Sequence, residues 1–208
     1  MGKVVKEKWE KKEGEKPLHT KANNDKEKVY QLKISLMDSN PEIWRRVLVS
    51  GNTTLGKLHR IIQNVMDWTD SHLHEFIVKD VSYADPDPEM EMDRSKNENR
   101  THLCNIAPTA KSSFVYVYDF GDGWEHKIKV EKTMDHHERF SGRPVCLEGE
   151  SACPPEDCGG IYSYYDMLEI IKNPKHPEYN DTMEWLGGEF DPNVFDLDET
   201  NQILKKMR

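Results

Sequence analysis

The stretch Phe114-Val115-Tyr116-Val117-Tyr118-Asp119-Phe120-Gly121-Asp122-Gly123-Trp124-Glu125-His126-Lys127-Ile128-Lys129-Val130 decides the fold of this chain. Phe114, Tyr116 and Tyr118 share one face of a strand. Trp124, His126, Ile128 and Val130 alternate with Glu125, Lys127 and Lys129 in the next, the period of half-buried β-structure. Asp122-Gly123 supplies the turn, because glycine reaches the positive φ that tight hairpins require. Gly121 and Gly123 serve that geometry, and Phe120 is expected to anchor it. Asp119, Asp122 and His126 thus collect beside an aromatic cluster, a mixture that packing alone does not require.

Upstream, Val29 to Met37 alternates Tyr30, Leu32, Ile34 and Leu36 against Gln31, Lys33 and Ser35, and Asp38-Ser39-Asn40-Pro41 breaks it. Ile43 to Val49 forms a second strand, and the short link predicts an antiparallel hairpin. From about Thr54 to Met66 the apolar residues Leu55, Leu58, Ile61, Ile62, Val65 and Met66 fall on one helical stripe, suited to covering a sheet. Leu73 to Lys79 returns as a strand. The order is β-β-α-β, compatible with a β-grasp or a ferredoxin-like arrangement.

Between Ala84 and Ser112 the chain is polar and broken by Pro86, Pro88 and Pro108, which predicts a long excursion. Its acidic run Asp85, Asp87, Glu89, Glu91 and Asp93 lacks the central glycine and ligand order of an EF-hand loop, so it reads as solvated. After the hairpin, a Pro- and Gly-rich connection through Gly160 leads to three short helices. Ser163 is expected to cap the first and Asn173-Pro174 to stop it. Gly187-Gly188 ends the second, and Asp196 with Glu199 frames the third. The fold class expected is α+β: a mixed or antiparallel sheet, one amphipathic helix across it and a C-terminal cap of short helices, as a single domain over 29–208.

The 208 residues carry a formal net charge of −9, yet Met1 to Lys28 holds nine Lys against five Glu and one Asp. A basic tail precedes an acidic body. The tail is too poor in apolar residues to offset its ordering entropy, so residues 1–28 are expected to be a disordered, solubilising arm. An acidic body is a poor generic binder of phosphate backbones, which argues against direct nucleic-acid binding. No apolar run approaches a membrane span and no signal-peptide core is evident, so a cytoplasmic protein is expected. Under those conditions Cys104, Cys146, Cys153 and Cys158 are expected to be reduced thiols.

Taken together, Ile43-Trp44-Arg45-Arg46, Leu58-His59, Trp68 with His72-Leu73-His74-Glu75-Phe76, the Tyr118 to His126 turn, Cys153-Pro154-Pro155-Glu156-Asp157-Cys158-Gly159-Gly160, and Trp185-Leu186-Gly187 with Phe190-Asp191-Pro192 resemble the plasmid pRiA4b ORF-3-like family. The likeness runs from about Tyr30 to Met207. It implies an α+β domain without an established biochemical role and an association with mobile elements, some relatives being labelled passenger proteins of insertion elements.

Several side chains are candidates for a site. His72 and His74 share strand parity, and His126 faces inward on the later hairpin. If the strands are neighbours, three imidazoles meet Asp119 and Asp122 near one sheet end, beside Trp124, a set suited to a divalent metal such as zinc. The bland alternative is a hydrogen-bonded polar edge of the core. Glu156 and Asp157 are further candidates as metal ligands, hydrogen-bond partners or a helix cap. Cys146, Cys153 and Cys158 could instead hold a structural zinc, although their spacing is not that of a zinc ribbon. Cys158 follows two acids, a setting that raises a thiol's pKa and disfavours nucleophilic chemistry. Asp119-Phe120-Gly121 lacks the glycine-rich and catalytic loops that make this tripeptide meaningful in kinases. Arg45 or Arg46 must share the inward face with Val47 and Val49, which suggests an inward acid partner. Trp44, Trp68, Trp124 and Trp185 read as core. The leading functional reading is a non-catalytic binding module for a protein or small-molecule partner, in a mobile-element setting. The alternative is a metal-dependent, hydrolase-like enzyme using the His/Asp cluster.

Overall fold

Two antiparallel hairpins meet at the centre of the sheet. Strand β1 (Val29–Leu36) pairs with β2 (Trp44–Ser50) on one side, and with β7 (Trp124–Met134) on the other. Strand β6 (Ser113–Tyr118) continues the sheet through β7, with Tyr116 opposite His126 and Tyr118 opposite Trp124. The alternation read from the sequence is realised there: Phe114, Tyr116, Tyr118, Trp124, His126, Ile128 and Val130 are all buried. The structure, a computed structural model, describes residues 25–85 and 95–207. The tail expected to be disordered lies almost wholly outside the described residues, as does the acidic run apart from Asp85.

Strands β3 (His74–Val78), β4 (Val81–Ala84), β5 (Lys96–Asn97) and β8 (Val145–Glu150) complete an eight-stranded sheet of order β5-β4-β3-β6-β7-β1-β2-β8. Among the described residues only β4 and β5 pair in parallel, so the sheet is mixed and the protein α+β. Neither expected arrangement is realised. The chain does run β-β-α-β through its first third, but β6 and β7 separate β3 from β1, because the long Phe114 hairpin inserts between them. Strand β8 falls in what reads as a Pro- and Gly-rich connection. It is only six residues long, and its burial pattern does not alternate cleanly.

Helix α1 (Leu55–Met66) lies across the sheet because its stripe of Leu58, Ile61, Ile62 and Val65 is 0–1% exposed. Each such side chain contributes about 1.5–3 kcal/mol on burial, so Ile62→Asp is the single change expected to break this packing. Thr54 caps its start by accepting from the Lys57 N–H at 3.2 Å, and Asp67 ends it in the left-handed region. A 3₁₀ turn (Glu98–Arg100) and α2 (Leu103–Ile106) give the long excursion structure of its own.

Helices α3 (Gly160–Ile171), α4 (Tyr179–Leu186) and α5 (Leu197–Lys206) form the C-terminal cap. Asp196 caps α5 through the Glu199 N–H, and Gly187 ends α4 at φ 70. Ser163 is no cap: α3 begins earlier, after Gly159 in the left-handed region. Helix α5 covers the outer edge of the sheet. Asn201 accepts from the Cys146 N–H and donates to the Cys146 carbonyl, both at 2.9 Å, satisfying edge groups on β8 that would otherwise be open to pairing.

Arg45 is the inward member of its pair, at 2% exposure, but its partners are carbonyls rather than an acid. Its Nε donates to Val65 O at 2.8 Å, and its Nη1 to Trp44 O and Glu150 O at 2.9 Å. The Phe195 ring lies 3.9 Å from the guanidinium carbon. Last-turn carbonyls of α1 supply the negative end of the helix dipole, which suits a cation.

Candidate functional site

Three segments converge at one end of the sheet: the chain entering β3, the β6–β7 turn and the loop before α3. Asp119 takes φ 55, its N–H donates to Leu73 O at 2.9 Å, and its Oδ1 accepts from the Gly121 N–H at 2.9 Å. The loop before α3 closes on that turn. Asp122 Oδ2 accepts from the Gly159 N–H at 3.0 Å, and Gly160, at φ 83, has room for no Cβ because one would sit 2.6 Å from the Asp122 carbonyl.

An aromatic layer supports the junction. Trp68 stacks near Tyr118 and meets His126 edge-on, with centroids 5.1 and 5.2 Å apart, and its Nε1 donates to Pro154 O at 2.9 Å. Trp124 belongs to this layer, at 1% exposure. Glu156 accepts from Thr69 and from the Tyr118 hydroxyl. Burial alone would raise its pKa, but these hydrogen bonds outweigh burial and hold the carboxyl below its ordinary range. Glu156 is therefore a structural acceptor. Phe120 is no anchor, being 56% exposed at the tip of the turn.

The three imidazoles do not share a pocket. Strand β3 starts only at His74, so His72 sits on a bend and the parity that would align the two is lost. His126 is fully buried, with Nδ1 3.2 Å from Trp124 O, and burial depresses its pKa to about 4. It is a neutral core residue. His72 instead approaches two acids, its Nε2 lying 3.0 Å from Asp157 Oδ1 and 3.7 Å from Asp119 Oδ2.

His74 joins a second group that includes residues the sequence reading did not single out as a site. Its ring stacks on His59 with centroids 3.5 Å apart and planes 2° from parallel, and its Nε2 is 2.9 Å from Glu98. His59 lies within a closed ring of hydrogen bonds. Gln63 Nε2 donates to the Tyr116 hydroxyl at 2.9 Å, which lies 2.8 Å from His59 Nδ1. His59 Nε2 lies 2.7 Å from Asp70 Oδ1, whose backbone N–H donates to Gln63 Oε1 at 3.0 Å. The assignment satisfying every member is a neutral His59 accepting from Tyr116 and donating to Asp70. Burial, reinforced by His74, lowers the His59 pKa and favours that neutral form. The signal in the sequence was His59 and Gln63, two polar residues at helical spacing on an otherwise apolar stripe.

His59, Asp70 and His74 stand within ligand reach of one another, but they make a poor metal centre. In-plane lone pairs of parallel stacked rings run side by side and do not converge on one ion, and His59 already uses both nitrogens. The cysteines do not converge either: among the described residues no metal-ligating group contains one. Burial raises the Cys146 thiol to about 11 and the Cys158 thiol to about 12, with Asp122 adding to the latter. Both are protonated at neutral pH, against nucleophilic use.

A groove runs beside α3 and α4. It has a volume of about 450 Å³ and is lined by Asp157, Asp166, Glu178 and Asp181 with Met167 and Trp185, and among the described residues no Lys or Arg lines it. Trp185 is 50% exposed, so it is a groove wall and not core. Its helix presents no buried residue, so the expectation that a large aromatic belongs to the core fails there.

Fold and site define an α+β protein whose polar and acidic groups collect around one sheet end. The chain belongs to the plasmid pRiA4b ORF-3-like family, whose model matches residues 28–199. It is 37% identical over 177 residues to the uncharacterised protein y4hQ of Sinorhizobium fredii, covering 85% of this chain and 90% of that one. A crystal structure of a protein of unknown function from Methanosarcina mazei Go1 superposes with a TM-score of 0.73 at 40% identity, covering 83% of this chain and 97% of the other. Among the described residues no helix is long and apolar enough to cross a membrane.

Proposed function

We propose that the protein is a non-catalytic binding module that takes a cationic protein segment in the groove between α3 and α4. The observation that carries this reading is the lining: four carboxylates and a half-exposed tryptophan, with no basic side chain among the described residues that line the groove. Carboxylates attract and orient a Lys or Arg side chain, and the face of Trp185 adds a cation–π contact worth about 0.5–1 kcal/mol at an exposed site. A family named after a plasmid gene suits an accessory role in mobile-element biology, and binding requires no further groups. The alternative of a metal-dependent, hydrolase-like enzyme using some of His72, His74, His126, Asp119 and Asp122 has less support, because the three imidazoles stand apart.

Titration with nona-arginine, followed by tryptophan fluorescence at low salt, tests the reading. Asp166→Asn/Asp181→Asn and Trp185→Ala should each weaken binding at least fivefold, whereas the charge-matched Asp135→Asn/Glu138→Gln should not. Equal weakening by both double variants would reduce the effect to net charge and overturn the groove assignment.

A further inference from the structure

We infer that His72 Nε2, Asp119 Oδ2 and Asp157 Oδ1 form a binding site for one divalent transition-metal cation, which would tie together the entry to β3, the β6–β7 turn and the loop before α3. This inference does not depend on the groove reading. The two carboxylate oxygens lie 3.7 and 3.0 Å from the imidazole nitrogen. Ligand atoms bonded at about 2.0–2.2 Å to one tetrahedral or octahedral ion stand roughly 3.0–3.5 Å apart, so both imidazole–carboxylate distances are close to that range, and all three atoms lie within 4.8 Å of one another.

Two observations separate this place from an ordinary ion pair. His72 Nε2 is buried and has no hydrogen-bond partner, although Asp157 Oδ1 is only 3.0 Å away. An imidazolium paired with that acid would aim its N–H at the oxygen. Here the contact is close but out of line, as when two ligands face an ion between them. Asp119 is 8% exposed, and its Oδ1 is committed to the Gly121 N–H. Its Oδ2 faces His72 Nε2 at 3.7 Å. A carboxylate so nearly buried is costly unless something pairs with it.

One imidazole and two carboxylates suit zinc, manganese or iron(II) better than calcium or magnesium, which prefer all-oxygen sets. The Asp157 side chain is 69% exposed, so the remaining positions open to solvent. Asp122 and Glu156 are already committed, to the Gly159 N–H and to Thr69 and Tyr118 respectively. They are positioning residues that hold the loop carrying Asp157.

The full chain, stripped with a chelator and free of any affinity tag, should bind one Zn²⁺ or Mn²⁺ per chain by calorimetry without peptide present. Cobalt substitution should give a visible d–d spectrum from a nitrogen and oxygen ligand set. His72→Ala and the exposed-site variant Asp157→Asn should each weaken binding at least tenfold, and Cys158→Ser should leave it unchanged. Asp157→Asn guards against misfolding, since it alters a solvent-facing side chain. Failure of the wild-type chain to bind below about 100 μM, a −5.5 kcal/mol threshold, would overturn the site. So would unchanged affinity in both ligand variants, or loss of binding on Cys158→Ser.

Discussion

Replacing Arg45 by Met tests the account of the sheet's outer half most directly. The guanidinium is 2% exposed and donates to Val65 O, Trp44 O and Glu150 O, joining the end of α1 to β2 and to the end of β8. Methionine fills similar volume but leaves three carbonyls without this donor. A charged hydrogen bond contributes about 1.5–3 kcal/mol, and a buried acceptor left unpaired costs about 1–3 kcal/mol. The three are not additive, because relaxed carbonyls can find water. Losing the stack on Phe195 adds about 0.5–2 kcal/mol. Desolvation works the other way: it lowers the Arg45 pKa and is the largest influence on it. We therefore expect a net loss of about 3–5 kcal/mol, or roughly 6–20 °C in Tm for a chain of this size. Arg45→Lys should fall between, since an ammonium cannot reach three acceptors in the guanidinium's plane. Urea denaturation of the three proteins at pH 7 measures this. A loss below about 1 kcal/mol for Arg45→Met would show that the guanidinium's desolvation cancels its bonds, and would refute the reasoning.

Burial holds His126 neutral with a folded-state pKa near 4, below the unfolded value of about 6.5. Between those values the unfolded chain binds the proton and the folded chain does not, so stability should be full above pH 6.5 and decline by about 3 kcal/mol toward pH 4. Denaturation midpoints from pH 7.5 to 4.5 should flatten in His126→Gln; an equally steep decline in the variant would assign the dependence elsewhere. Gly160→Ala places a side chain at φ 83 and 2.6 Å from the Asp122 carbonyl, and should cost about 1–3 kcal/mol while weakening Zn²⁺ binding through the loop that carries Asp157. Unchanged calorimetric affinity would mean that the turn and the loop are not coupled. Because Asp157 belongs to both the cation set and the groove, saturating Zn²⁺ should weaken nona-arginine binding severalfold, and equal titrations with and without the ion would refute that overlap.

Much of the fold was legible because period and spacing are local. The Phe114 to Val130 hairpin, the β1–β2 pair and the α1 stripe each announce themselves within a short local window, and all three form. Strand order is not local. Whether β3 lies beside β1 or beside β6 depends on which edges the later hairpin covers, and no residue in β3 encodes that choice alone. Strand β8 was hidden for a different reason: its stability comes from Asn201, more than fifty residues away, and from its ladder with β2.

At the site, residue types were easier to read than their partners. His72, Asp119 and Asp157 were all recognisable as candidates, yet the expected set joined His72 to His74 and His126 with Asp119 and Asp122, because alternate residues on neighbouring strands point the same way. That rule holds only inside the ladder. His72 lies two residues before β3, and Asp119 and Asp157 both take the left-handed backbone region, where strand parity carries no information about direction. The same departure from regular backbone that defeats the prediction also turns three side chains from separate segments toward one point. A strand would have separated Asp119 Oδ2 from His72 Nε2 to opposite faces or a full side-chain spacing. Turns at φ 55 and φ 61 bring two carboxylates to one imidazole, so irregular backbone marks this site more specifically than its residue composition does.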